Sequence, residues 1–212
     1  MKKIIGFLTL LFCIASCDNF LDIEPTGKVI AKTAEEYREM MTEAYGQFPR
    51  TSGLATFRTD EFWMDRASST TEDLDAYFDI WSWNDEAPSD TRTEFEWRAF
   101  YHIVYICNYI IEKQDEITNG TKDEIRQLVG EAYCMRAYCH FQLANLYGQP
   151  YTHCNPDTSK AVPLNLKADV NAILSRSTLK NVYAQVLSDL SEAENHLNVK
   201  TWQEALNYRC NT

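Results

Sequence analysis

Residues 77–85 read Tyr-Phe-Asp-Ile-Trp-Ser-Trp-Asn-Asp and interleave aromatic rings with carboxylates, a hydroxyl and an amide. Saccharides present apolar C–H faces and hydroxyl edges, and a flat ring beside Asn, Asp or Arg is suited to both. Trp81 and Trp83 lie two apart and would share a face if the segment is extended. Asn84, Asp85 and Arg92 are then the candidate hydrogen-bonding partners of a glycan platform. The alternative is that these rings plug a core at the start of a helix near Arg92, and on sequence alone that packing role is preferred.

A second chemistry sits near the start of the chain. Lys2 and Lys3 precede an apolar run, residues 4–14, that ends in Ile14-Ala15-Ser16-Cys17. The run is too short to span a bilayer, which takes about 20 apolar residues. Small residues before a cysteine look like a bacterial lipobox, in which the Cys17 thiol takes a diacylglycerol and residues 1–16 are removed. Each acyl chain, palmitate for example, adds about 0.8 kcal/mol per buried CH₂, so several chains anchor a protein to a membrane stably. The alternative is an ordinary secretory signal with an incidental cysteine.

Other reactive residues form no constellation. Cys107, Cys134, Cys139, Cys154 and Cys210 are an odd number of thiols for an oxidising compartment. Cys134, Cys139, His140, His153 and Cys154 invite a zinc reading. However, Cys134 and Cys139 lie five apart on a helix, about 140° around, and cannot share a ligand face. Inert core or surface thiols are the expectation, with no metal and no cofactor. His102 falls on a helical stripe and reads as a hydrogen-bonded core histidine. There is no Gly-rich phosphate loop, no G-x-S-x-G and no H-E-x-x-H. No carboxylate pair is singled out for glycoside hydrolysis. A binding protein without catalytic residues is expected.

The chain of 212 residues is long enough for one domain with a real core. Its formal net charge is −11, and with Lys2 and Lys3 removed, 20 less two cations face 31 anions to give −13. Such a surface repels nucleic-acid phosphates and anionic lipid, so attachment to a membrane would have to be covalent.

Helical signals dominate the elements that must position these groups. Thr33-x-x-Glu36, Thr91-x-x-Glu94 and Thr121-x-x-Glu124 are capping boxes. They predict a short helix over 33–47, a long one over 92–117 and another from 121 to Gly148, where a left-handed cap is expected before Pro150. The stripe of the second helix is Phe95, Ala99, His102, Ile106, Tyr109 and Ile110, with Ile103 beside it and Trp97, Tyr101 and Tyr105 as an adjacent aromatic row. The third carries Leu128, Ala132, Met135, Cys139, Leu143 and Leu146, with Glu131, Arg136 and Gln142 off the stripe. Residues 118–121 are a polar turn, so these two helices form an antiparallel hairpin. Residues 50–89 show no lasting period, a connection long enough to suggest function or small elements of its own. After a loop over 153–176, a last helix runs over 177–197, capped by Ser177 or Thr178, with Leu179, Val182, Val186, Leu190, Ala193 and Leu197 as its stripe.

Four blocks of this chain resemble the SusD/RagB family of nutrient-uptake outer-membrane lipoproteins. Gly130, Glu131, Ala132, Arg136, Ala137, Phe141, Leu143, Tyr147, Gly148 and Pro150 match one family signature. Cys17, Phe20, Leu21, Asp22, Pro25 and Gly27 match its opening. Arg176-Ser177-Thr178 with Val182-Tyr183, and Asp189-Leu190 with Ala193, match two more blocks. The resemblance implies an all-α fold of tetratricopeptide-like helical hairpins with a long irregular loop region. It also implies oligosaccharide binding at the outside of the outer membrane, and partnership with a SusC-like TonB-dependent transporter. Residues 17–32 would be an extended arm and 33–212 the N-terminal helical domain. Family members run to about twice this length or more, so the chain reads as truncated, with Asn207-Tyr208-Arg209 opening a helix whose partner is missing. The alternative is a helical protein-interaction scaffold lipoprotein that binds no glycan.

Overall fold

Thr33 and Thr121 each close a capping box. The Thr33 hydroxyl accepts from the Glu36 amide at 3.3 Å while the Glu36 carboxylate accepts from the Thr33 amide at 2.9 Å. Thr121 and Glu124 repeat the exchange at 3.2 and 2.7 Å. Each box supplies partners for amides that a helix start leaves unpaired. The helices they open are α1, Ala34–Gly46, and α5, Lys122–Tyr147. Between them lie α2 (Thr51–Thr56), α3 (Thr71–Trp81) and α4 (Trp97–Lys113), and α6 (Leu179–His196) follows. The computed structural model describes residues 31–49, 51–84, 86, 87, 89, 90 and 97–199, with 51–53 described by backbone alone. The helices fall in one compact unit, Lys32–Thr212. Cys17, Asp85, Arg92, the capping box at 91–94, Phe95, Cys210 and residues 207–209 lie outside the described residues.

Helices α4, α5 and α6 pack as consecutive antiparallel neighbours. Trp97 and Tyr101, near the start of α4, meet Tyr147 and His140 near the end of α5. Gly130, early in α5, lies against Leu197 just past α6, and Gly148 at its end lies against Leu179. A Cβ at Gly130 would stand 2.9 Å from the Leu197 amide nitrogen, so the missing side chain is what lets the two helices close. Helix α1 runs antiparallel to α4, with Tyr37 stacked on Tyr109 and Phe48 edge-on to Phe100. The core comprises Tyr37, Met41, Phe100, Ile103, Val104, Ile110, Leu128, Cys139, Leu143, Leu179 and Val182, all buried. Burying side chains of this size stabilises a fold by about 1.5–3 kcal/mol each, before conformational entropy is charged against it.

Several expectations change. Helix α4 continues as a 3-10 turn through Glu116 rather than as an α-helix to 117. Its buried face is centred on Phe100, Ile103, Val104 and Cys107, which turns His102 outward; that histidine is half-exposed, 3.9 Å from Glu43, and not in the core. Gly148 caps α5 with φ −99°, an extended residue and not a left-handed one. Glycine is required there for room, because a Cβ would lie 2.5 Å from the Ala144 carbonyl oxygen. Residues 153–176 are not all loop: β1 (Lys160–Pro163) pairs antiparallel with β2 (Arg176–Thr178), and Thr178 is the N-cap of α6. Leu190 stays 43% exposed on the outer side of α6.

Arg136 departs most from its sequence reading. Expected off the buried stripe, it is buried between α5 and α6 and forks onto Asp189 at 2.6 and 2.8 Å. Its third nitrogen donates to Asn108 Oδ1 at 2.8 Å. Asn108 in turn donates to the Asn165 and Lys167 carbonyls, both at 3.1 Å. A buried carboxylate and guanidinium persist only when paired and hydrogen-bonded, and this network ties three helices to the segment that follows β1.

Candidate functional site

The stretch from 50 to 89, without period in the sequence, holds α2 and α3 and a small aromatic core of its own. Thr70 caps α3 through the Asp73 amide at 3.1 Å. Phe57 stacks on Tyr77 and meets Phe62 edge-on, while Met64 and Ile80 are buried. Trp81 is half-buried in this group, edge-on to Trp63, with its ring N–H donating to the Phe62 carbonyl at 3.3 Å. Trp81 thus packs within this group, while the start of a helix near Arg92 lies outside the described residues.

Trp83 is different. Helix α3 stops with the Asn84 amide donating to Asp79 O at 2.9 Å and the Trp83 amide donating to Ile80 O at 3.3 Å. Those are the paired bonds of a Schellman stop, whose left-handed position is normally glycine. Trp83 occupies it at φ 57°. A Cβ-bearing residue in that region is strained. The indole is nevertheless 62% exposed, and the Arg58 guanidinium lies over it, 4.7 Å from the ring centre. Trp81 and Trp83 therefore do not share the face of an extended segment: the first belongs to the helix and its small core, the second projects from the helix stop.

Asn84 is placed beside these rings but its amide is committed, donating to Asp79 Oδ1 at 2.8 Å and to the Ala87 carbonyl at 3.0 Å. It braces the helix stop. Next to it, Arg66, Leu74, Asp75, Phe78, Asp79 and Ser89 line an open cleft of about 420 Å³, with Arg66 stacked on Phe78 at 4.0 Å. Trp63, which the sequence reading did not single out, is 78% exposed at the edge of the same group. The available signal was a tryptophan in an otherwise polar stretch. Together these residues offer exposed indoles with arginines and carboxylates close by, which is the chemistry of a surface that stacks flat apolar faces and bonds their polar edges.

The zinc set does not gather: Cys134 is exposed and Cys139 buried, and among the described residues no three His, Cys, Asp or Glu side chains cluster as ligands. Burial pushes the Cys107 thiol up to about 12 and raises Cys139 further, leaving both as inert protonated groups. His140 is buried with neither ring nitrogen hydrogen-bonded, and burial, reinforced by the Arg136 charge, lowers its pKa to about 4.

The family model described as "Starch-binding associating with outer membrane", SusD-like, matches residues 19–211. This chain belongs to the SusD-like family. SusD-like protein P38 of Formosa agariphila is 29% identical over 94% of this chain and 39% of its own length. SusD-like protein P25 of the same organism is 21% identical over 98% of this chain and 45% of its own length. Among solved structures, a SusD superfamily protein from Bacteroides thetaiotaomicron superposes with a TM-score of 0.60 at 22% identity, over 80% of this chain and 38% of that one. A putative sugar binding protein from Bacteroides vulgatus gives 0.63 at 20% identity, over 82% and 39%. The SusD-like fold is thereby shared, and the chain spans less than half the length of these relatives. Among the described residues no helix is long and apolar enough to cross a membrane.

Proposed function

We propose that this SusD-like chain binds a glycan at the cell surface and hands it to a SusC-like TonB-dependent transporter in the outer membrane. Cys17 carries the lipid that anchors it, residues 1–16 are the leader, and the antiparallel pairs are tetratricopeptide-like units. Binding, not bond cleavage, is the activity. The observation that carries the glycan reading is Trp83, an exposed indole held in the left-handed position that glycine normally occupies. Arg58 lies over this ring, Trp63 beside Trp81 and Arg66 over Phe78 supply a second ring and a second cation in the same aromatic group, and Asp85 and Arg92 remain proposed contacts.

Native affinity electrophoresis in gels cast with starch or other polysaccharides tests this. The acylated chain should be retarded by one of them, Trp63→Ala and Trp83→Ala should each restore mobility, and chromatography should find the glycan uncut. No retardation by any polysaccharide would remove the glycan reading. In that event the second reading takes its place, a helical protein-interaction scaffold lipoprotein that binds no glycan.

A further inference from the structure

The segment that carries the exposed indoles also carries most of the chain's net charge. Residues 51–90 hold ten Asp and Glu against two Arg, −8 of the formal −11. Eight of those carboxylates are exposed, among them Asp60, Glu61, Asp65, Glu72, Asp75 and Glu86. Both cations lie on rings. Arg58 sits over Trp83 and donates from Nε to the Ile80 carbonyl at 3.3 Å, and Arg66 sits over Phe78.

The cleft next to the Trp83 helix stop has the same balance. Its one guanidinium, Arg66, shares the lining with two carboxylates, Asp75 and Asp79. Asp79 accepts from the Asn84 side-chain amide at 2.8 Å and from the Ser89 backbone amide, so it joins the cleft to the residue after Trp83. A sugar hydroxyl both donates and accepts a hydrogen bond. A guanidinium beside carboxylates therefore matches the neighbouring hydroxyls of an uncharged sugar, through charge-assisted bonds. A uronate carboxylate or a sulfate ester only accepts. It would compete with Asp75 and Asp79 for Arg66, inside a field that is negative overall.

We propose that the surface around Trp83 and the Arg66 cleft takes uncharged glycans and excludes acidic ones, the carboxylates of residues 51–90 setting that specificity. Arg66 donates and Asp75 accepts at neighbouring hydroxyls, while the indoles stack on the sugar faces. Carboxylates outside the cleft, such as Asp60, Glu61 and Glu72, touch no sugar and act at a distance, by repelling an acidic chain as it approaches. The inference rests on the glycan reading and adds the class of sugar to it.

The test couples matched pairs of polysaccharide to beads: starch and carboxymethyl starch, galactomannan and carboxymethyl galactomannan, laminarin and sulfated laminarin. Alginate and polygalacturonate are added as naturally acidic chains. Retention of the full acylated chain is read at low salt, where charges act over about 30 Å, and at physiological salt, where they act over about 8 Å. An uncharged polymer should retain it equally at both. The charged derivative of that polymer should retain it about tenfold less, with the larger deficit at low salt. Asp60→Asn, Glu61→Gln and Glu72→Gln together should leave retention by the uncharged polymer unchanged and raise retention by the charged one severalfold at low salt.

Equal or stronger retention by any of the acidic polymers overturns the class and leaves the glycan reading standing. Retention by none of the polymers removes the glycan reading, and this proposal with it. A preference for the uncharged polymer that neither salt nor the triple variant alters is steric in origin, and overturns the role given to the carboxylates.

Discussion

Replacing Trp83 by glycine and by alanine separates what the ring does for the fold from what it does for binding. Its φ of 57° costs an L-residue about 1–2 kcal/mol. Arg58 over the exposed indole offsets about 0.5–1 kcal/mol of that. Trp83→Ala keeps the backbone cost and loses the stacking, so it should be less stable than the parent by about 0.5–1 kcal/mol. Trp83→Gly also loses the stacking but sheds the backbone cost, against about 0.5–1 kcal/mol for the greater freedom of glycine in the unfolded chain. The Gly variant should therefore exceed the Ala variant by about 1 kcal/mol, or roughly 2–4 °C in Tm for a domain of this size. Urea and thermal unfolding read the difference, and affinity electrophoresis reads binding on the same samples. Both variants should lose glycan retardation to the same degree. Equal stability of the two would refute the strain argument, and a Gly variant that still binds would refute a role for the ring.

The other predictions concern the helical core. Arg136→Met leaves Asp189 buried without its partner and should cost about 3–5 kcal/mol in urea unfolding, most of it recovered in the double variant with Asp189→Leu; a single-variant loss below about 1 kcal/mol would contradict the buried network. His140 has a folded pKa near 4 against about 6.5 unfolded, so the unfolded chain binds the extra proton between those values and stability falls as pH drops from about 6.5 to 4. The loss should total about 3 kcal/mol relative to His140→Phe, and parallel pH profiles for the two proteins would rule it out. Gly148→Ala should cost about 1–3 kcal/mol by pressing a methyl on the Ala144 carbonyl and Leu179, measured by thermal unfolding; an unchanged Tm would mean the helix end yields at no cost.

The parts of the fold legible in the sequence are those fixed by local chemistry. Two capping boxes and the polar turn between α4 and α5 each involve residues no more than four apart, and they appear where the pattern puts them. Arg136 was not legible as a core residue because its partner Asp189 lies 53 positions away; the family signature includes Arg136 without giving its reason. His102 was misplaced because a stripe drawn through it and Ala99 runs beside the buried row of Phe100, Ile103 and Cys107. At the candidate site, the tryptophans and Asn84 were legible as types but not as geometry. A helix stop is recognised by glycine, and Trp83 in the glycine position hides it, so α3 read as irregular chain. Trp63 comes to Trp81 only once α3 has folded back onto the segment before it.

The surface around Trp83 and Trp63 is the proposed glycan-binding surface. Hydrogen–deuterium exchange on the acylated chain, with and without oligosaccharides of the polysaccharide that retards it, is the decisive test. Protection confined to residues 58–84, absent in Trp83→Ala, is the predicted result. Protection confined to the outer side of α6 or to the loop over 166–174, with 58–84 unchanged, would contradict it.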